Sequence, residues 1–185
     1  LCAGLIVADH VCAPLPCIPP AGALITTERL ELTIGGSAAN VAVDVARLGM
    51  SAALCGRVGD DILGRFVHES MEAQGVQCDT VTRSTAAQTS ATLVVNVAGE
   101  DRRFLHAIGA NAEFTVDDVP ARAVENCRAV CVGGFGLNPA LSGEGVAELF
   151  RRARANGALP MLDVVVGAPA SLPGLLGEAL PESDI

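Results

Sequence analysis

Three places in this sequence hold residues whose types and spacing suit them to gripping a hydroxyl-rich or anionic ligand. The first is Gly35-Gly36-Ser37-Ala38-Ala39-Asn40, which follows the apolar run Leu30–Ile34 and opens a helical pattern ending at Leu48-Gly49. Glycines without Cβ let a ligand approach the backbone, and the first helical turn offers unpaired N–H donors at the positive end of the helix dipole. Asn40 falls in that turn, where Ala would be the better helix former, and its amide can both donate to and accept from a hydroxyl. The second is Asp9, placed after an apolar strand and before a proline-rich loop, where a carboxylate can accept hydrogen bonds from two vicinal hydroxyls; a solvated loop Asp is the competing reading. The third is Asp163, closing Met161-Leu162-Asp163, with a strand-end cap as its competing reading.

The elements that must position these residues follow from pattern. Leu5 to Ala8 reads as a buried strand ended by Asp9, and Pro14, Pro16, Pro19 and Pro20 then impose a loop. Leu30–Ile34 is a second strand. Val41, Val45 and Leu48 share one helical face, with Gly49 at the left-handed C′ position. Ala52–Cys55 is a third strand, and a helix capped by Asp60 or Asp61 runs from Leu63 to Gln74, closed by Gly75. Ser90–Val97 and Arg102–Ala107 flank Gly99-Glu100-Asp101 and predict a hairpin, which needs a neighbouring sheet to be stable. After Gly109-Ala110-Asn111 the rhythm becomes βα: a helix over Val116–Asn126, a strand over Ala129–Val132, a helix over Gly143–Asn156, a strand over Pro160–Val165 and a short helix near Leu172–Leu180. Alternation of this kind predicts a parallel, doubly wound α/β sheet with right-handed crossovers, whose ligands gather at the carboxyl ends of the strands.

Composition excludes several classes. The formal charge of −9 in 185 residues leaves no basic stripe for a phosphate backbone, so no nucleic-acid partner is expected. All 12 basic residues are Arg, which removes a Walker A lysine, a Schiff-base lysine and a Tyr-Lys proton relay from these residues. The seven cysteines are scattered without a CxxC pair and read as reduced thiols, favouring a cytoplasmic protein. No apolar stretch is long enough for a membrane span. His10, His68 and His106 are scattered, and His10 with Cys12 and Cys17 lacks the second pair a zinc site requires, so no metal ligand is assigned. Gly35-Gly36-Ser37-Ala38-Ala39 is a poor nucleophile elbow, since Ala39 stands where GxSxG needs glycine and no His follows Asp163. Arg102 and Arg103 read as charges that keep an edge strand soluble, or alternatively as a grip on a phosphorylated sugar.

The pattern GGSAANVAVDVARLG, followed by CGRVGDDILGRFVHESMEAQGV, resembles the amino-terminal signature of the ribokinase-like, or PfkB-type, carbohydrate kinases. The resemblance implies a ribokinase-like α/β domain with a small β-sheet lid, the lid strands lying within residues 10–35 and 90–108 of the 1–185 chain and the α/β core elsewhere. It implies transfer of a phosphoryl group from ATP, with Mg²⁺, to a hydroxyl of a sugar or nucleoside, and it places Asp9, Gly35, Gly36 and Asn40 on the substrate and Asp163 near the cleft between substrate and nucleotide. Such kinases draw their catalytic Asp from a DTxGAGD-like segment. None occurs here, so the chain reads as the substrate-binding half of the enzyme, a fragment open at both ends without the nucleotide-binding part. Ser37 stands where many ribokinase-like sequences have Lys, which argues against a specific assignment to ribose. The lid edge mediates dimers in related kinases, which leaves a homodimer as an open expectation. The alternative is a non-catalytic sugar- or nucleoside-binding module.

Overall fold

The computed structural model describes residues 1–165 and 172–185. Among the described residues, nine strands form two sheets, accompanied by five α-helices. The larger is entirely parallel and runs β5 (Val76–Ser84), β4 (Ala52–Gly59), β1 (Cys2–Gly4), β8 (Ala129–Phe135), β9 (Leu159–Val164). The smaller is mixed and runs β3 (Leu30–Gly35), β2 (Val7–Cys12), β6 (Ala91–Val95), β7 (Arg103–Ala107), with only the β2–β6 pairing parallel.

Alternation along each strand of the large sheet feeds two cores. Cys2, Leu54 and Cys131 point to one face, where they pack with Ala38, Ala39, Ala42 and Val43 of α1 (Ser37–Arg47) and Val67 and Met71 of α2 (Ile62–Ala73). Ala3, Cys55, Val130 and Val132 point to the other face, onto Val124 of α3 (Ala121–Glu125) and Val146, Leu149 and Phe150 of α4 (Gly143–Ala155). Helix α5 (Leu172–Ala179) lies against α4. This is the doubly wound arrangement that the βα rhythm predicts. Each buried Leu or Phe contributes about 2 kcal/mol of transfer free energy to it. The cysteines behave as small hydrophobes. All seven are free and five are buried, and burial pushes the Cys55 thiol up to about 12. Among the described residues no helix is long and apolar enough to cross a membrane.

The structure corrects the reading of Leu5–Ala8 as one strand ended by Asp9. The apolar run is split between the sheets: β1 stops at Gly4, Leu5 and Ile6 cross over, and Asp9 lies inside β2 rather than at a strand end. The crossing backbone is paired group by group. Leu5 N–H donates to Gly133 O (2.9 Å), Leu5 O accepts from Ala39 N–H (3.4 Å), and the buried Asn111 amide accepts from Ile6 N–H (3.3 Å) and donates to Ile6 O (2.8 Å). Buried peptide groups left unpaired here would be costly, so Asn111 substitutes for the missing ladder.

Two further differences have local causes. The expected helix at Val116–Asn126 is a 3-10 turn at Val116–Asp118 followed by the short α3, because Pro120 cannot continue a helix. Strand β5 is not among the elements read from the sequence: Val76, Gln77, Cys78 and Asp79 alternate between buried and exposed, but the alternation lapses over Thr80–Arg83. Asp61 caps α2 by accepting from Gly64 N–H (2.8 Å), and also accepts from Thr89 N–H (2.7 Å) and the Thr89 hydroxyl (2.6 Å), tying α2 to the approach of β6. Burial alone would raise the Asp61 carboxyl, but these bonds outweigh it and hold it below its ordinary value. Arg57 of β4 grips Asp118 through two bonds (2.7 and 3.1 Å) and Glu113 through a third (3.2 Å), fastening the segment after β7 to the sheet.

Replacing Asn111 by Ala strands both peptide groups of Ile6. The expected loss is about 3 kcal/mol of folding stability, at roughly 1–3 kcal/mol per unpaired buried group. Urea unfolding of Asn111→Ala against the unsubstituted chain measures it.

Candidate functional site

The large sheet reverses its winding beside β1: the chain proceeds from β1 to β4 and β5 on one side, then returns to β8 and β9 on the other. Crevices of α/β sheets open at such a switch, outside the carboxyl ends of the strands. Here the crevice receives the amino terminus of α1. An ideal Cβ on Gly133 of β8 would lie 2.5 Å from Ala38 N, so β8 and the first turn of α1 are in backbone contact.

The paired glycines sit where other parts of the chain come close. A Cβ on Gly35 would fall 2.0 Å from Oδ2 of Asp9, and one on Gly36 would fall 2.4 Å from Leu5 O. The close approach they permit in this structure is therefore by the chain itself. Gly36 also has φ +90°, a conformation that side chains resist. Asp9 is thus seated directly on Gly35 at the mouth of α1.

Register places four polar residues in one row across the small sheet: Thr33 of β3, Asp9 of β2, Thr92 of β6 and His106 of β7. Directly opposed residues share a face. Burial raises the Asp9 carboxyl above its ordinary value; hydrogen bonding by Thr92 and the nearby His106 and His10 pull it back. Thr92 is not among the residues read from the sequence, and His106 is weighed there only as a metal ligand. A hairpin centred on Gly99 already pairs 92 with 106, and that symmetry is the signal that would have found them.

Asn40 lies one turn into α1, exposed, and lines a groove of about 440 Å³ with Thr33, Asp44, Arg47, Phe66 and Gln74, between β3, α1 and α2. Thr33 is shared by this groove and the Asp9 row. Asp163 is not brought to Asp9. It stands opposite a bulge in β8, where its carboxylate accepts the Gly134 N–H at 3.0 Å. Gly134 has φ +79°, and the bulge frees the N–H that Asp163 receives. Arg102 lies over the Phe104 ring, 5.5 Å from its centre, and Arg103 pairs with Glu100 at the hairpin turn. Among the described residues no group of three or more His, Cys, Asp or Glu is placed to hold a metal ion.

The pfkB family carbohydrate kinase model matches residues 1–184. The chain belongs to that family. Among curated relatives, 5-dehydro-2-deoxygluconokinase of Clostridium perfringens is 28% identical over 134 residues, covering 71% of this chain and 40% of the relative. Fructokinase of Klebsiella pneumoniae is 35% identical over 117 residues, covering 62% of this chain and 38% of the relative. Among solved structures, a fructokinase from Xylella fastidiosa with bound ATP superposes with a TM-score of 0.79 at 26% identity, over 99% of this chain and 58% of that one. The chain therefore spans about two fifths of the curated relatives' length. The fold is the ribokinase-like α/β architecture: a parallel sheet with a second, mixed sheet, as the GG-to-Asn40 pattern and βα rhythm led one to expect.

The raised Asp9 value has a sign that can be tested. A carboxyl whose folded value lies above its unfolded one binds its proton more tightly when folded. Its favourable contribution is complete below the unfolded value and is lost as pH rises through the folded one, so at neutral pH the ionised group is carried at a cost. Asp9→Asn is expected to raise the thermal midpoint at pH 7 and to flatten the stability gain of the unsubstituted protein on mild acidification; thermal unfolding from pH 4 to 8 measures both. Gly35→Ala is expected to lower the midpoint, with part of the loss recovered in Gly35→Ala/Asp9→Gly, because the added methyl group and the carboxylate compete for one space.

Proposed function

We propose that this chain carries the sugar-holding part of a kinase that phosphorylates, at the expense of ATP, a hydroxyl of a sugar or related small molecule. The observation that carries the reading is the half-buried Asp9 carboxylate, seated on Gly35 beside the amino terminus of α1 in a member of the carbohydrate-kinase family.

In this reading Asp9 accepts hydrogen bonds from two neighbouring hydroxyls, orienting the sugar while its ionised form is kept available at neutral pH. Gly35 and Gly36 let Asp9 and α1 converge on the ligand. Asn40 donates to and accepts from a further hydroxyl at the groove end of the site, and Asp163 closes the crevice on the β9 side. The small sheet, β2, β3, β6 and β7, supports the reading of a lid, its strands running over Val7–Cys12, Leu30–Gly35, Ala91–Val95 and Arg103–Ala107. ATP, with Mg²⁺, would supply the phosphoryl group. The described residues contain no group of three or more His, Cys, Asp or Glu placed to hold a metal ion, and the DTxGAGD-like segment that would bring a catalytic base is not in this sequence. Transfer of this kind rests on positioning and charge stabilisation, which makes holding the acceptor hydroxyl a separable task. The names of the relatives point to a polyhydroxy ligand of the fructose or deoxygluconate kind.

Calorimetric titration with fructose, ribose and 5-dehydro-2-deoxygluconate tests the reading. At least one is expected to bind. Asp9→Asn should weaken it about tenfold or more and Asn40→Ala several-fold, as charged and neutral hydrogen bonds differ. Equal affinity in Asp9→Asn would remove Asp9 from the site. Measuring ADP release from Mg·ATP with the bound sugar, on a complete protein that joins this chain to a nucleotide-binding part, separates the two functional classes: sugar-dependent release supports the kinase, and binding without release selects the non-catalytic binding module.

A further inference from the structure

We propose that Thr33 is a specificity-determining residue of the sugar site: its hydroxyl bonds a hydroxyl of the ligand that lies between those held by Asp9 and Asn40. The inference rests on the function proposed for Asp9 and Asn40. It adds the one residue that the Asp9 row and the groove beside Asn40 have in common.

Two backbone hydrogen bonds fix what Thr33 has left to offer. Ala13 N–H donates to Arg29 O (2.8 Å), a directly opposed pair that continues the β2–β3 register. Bonded pairs recur at every second residue of an antiparallel ladder, so Thr33 and Asp9 form one of them. The alternate residues of β2 turn to β6 instead, where Ala8 N–H donates to Ser90 O (2.9 Å). Both bonds give the same phase. The N–H and C=O of Thr33 are therefore spent on the backbone of Asp9, and its hydroxyl is what remains. Opposed residues project their side chains from one face, so that hydroxyl stands on the Asp9 side of the sheet.

The protein does not take the hydroxyl up. Asp9 Oδ2 leans over Gly35, two residues further along β3, in the space a Cβ would fill. Among the described residues neither the Thr33 hydroxyl nor the Asn40 amide is hydrogen-bonded to a protein group, and both residues are exposed. The far end of the groove differs, since Arg47 Nε there donates to Gln74 Oε1 at 3.0 Å. The unspent capacity is thus concentrated at the end nearest Asp9. A threonine hydroxyl brings one donor and two acceptor sites, so it answers a sugar hydroxyl in either sense. Its branched Cβ restricts the rotamers, which gives the hydroxyl a set direction. A site that bonds a ligand hydroxyl discriminates against the analogue lacking it, because its own polar group then goes without that partner.

The test is calorimetric titration of the unsubstituted chain, Thr33→Val and Thr33→Ser with fructose, 5-dehydro-2-deoxygluconate and the monodeoxy forms of whichever binds. Valine keeps the shape and strand preference of threonine at an exposed position, so the thermal midpoint is expected to hold. Thr33→Val is expected to weaken binding about three- to tenfold, the range of one hydrogen bond, and Thr33→Ser about twofold at most. One monodeoxy form is expected to bind the unsubstituted chain and Thr33→Val alike, since the hydroxyl it lacks is the one Thr33 meets. A threonine that only suits an edge strand gives another result. Unchanged affinity in Thr33→Val, with Asp9→Asn still weakened, overturns the proposal and leaves the reading of Asp9 intact. So does a loss in Thr33→Val that is the same for every monodeoxy form. If the unsubstituted chain binds neither sugar, the reading of Asp9 as a sugar ligand fails, and the role of Thr33 falls with it.

Discussion

The pair of hydrogen bonds between the Asn111 amide and the peptide of Ile6 is the constraint on which the site depends. At Ile6 the chain leaves the parallel sheet and has not yet joined the mixed one, so neither ladder can satisfy it. Asn111 supplies both the donor and the acceptor from 105 residues away. Its two hydrogen bonds, one to each peptide group of Ile6, fix the direction in which β2 departs. That direction decides on which face of the small sheet Asp9 emerges, three residues later. With the alternating geometry of a strand, a one-residue slip at the crossover would turn Asp9 into the α2-side core and His10 toward Gly35.

Around this pivot the molecule balances charge against burial in two ways. Asp61 is fully engaged: three donors hold its carboxylate ionised, and it serves as a structural tie between α2 and the small sheet. Asp9 is under-engaged, resting on a glycine with few donors, and its ionised form is correspondingly uncomfortable. The contrast separates a carboxylate that completes the fold from one whose hydrogen-bonding capacity the fold leaves largely unused. Asp163 belongs nearer the first type, since one of its oxygens already serves the β8 bulge.

Much of this was legible in the residues. The strand-to-helix turn at Gly35-Gly36, the cap at Asp61, the closure at Gly75 and the hairpin around Gly99 all rest on local chemistry that neighbouring residues enforce. What escaped reading was enforced from a distance. Nothing within Leu5–Ala8 announces a break, because the break is made by Asn111. The broken alternation of β5 concealed a strand that only its pairing with β4 explains. The glycines of the GG pair advertised a close approach, but only the fold could reveal that Asp9 and Leu5 are the groups approaching. Thr92 and His106 are ordinary hairpin residues until β2 is laid beside β6.

The place of β1 in the large sheet has a consequence for how the chain is made. It is the central strand, with β4 on one side and β8 on the other, and it precedes both in the chain. Its crossover at Ile6 is completed by residue 111, and its second flank by a strand that begins at Ala129. At about 5–20 residues per second, the ribosome needs several seconds after β1 emerges to deliver these partners. Throughout that interval β1 has one sheet neighbour at most. Cotranslational folding of this protein is therefore a closing of late elements onto a waiting strand.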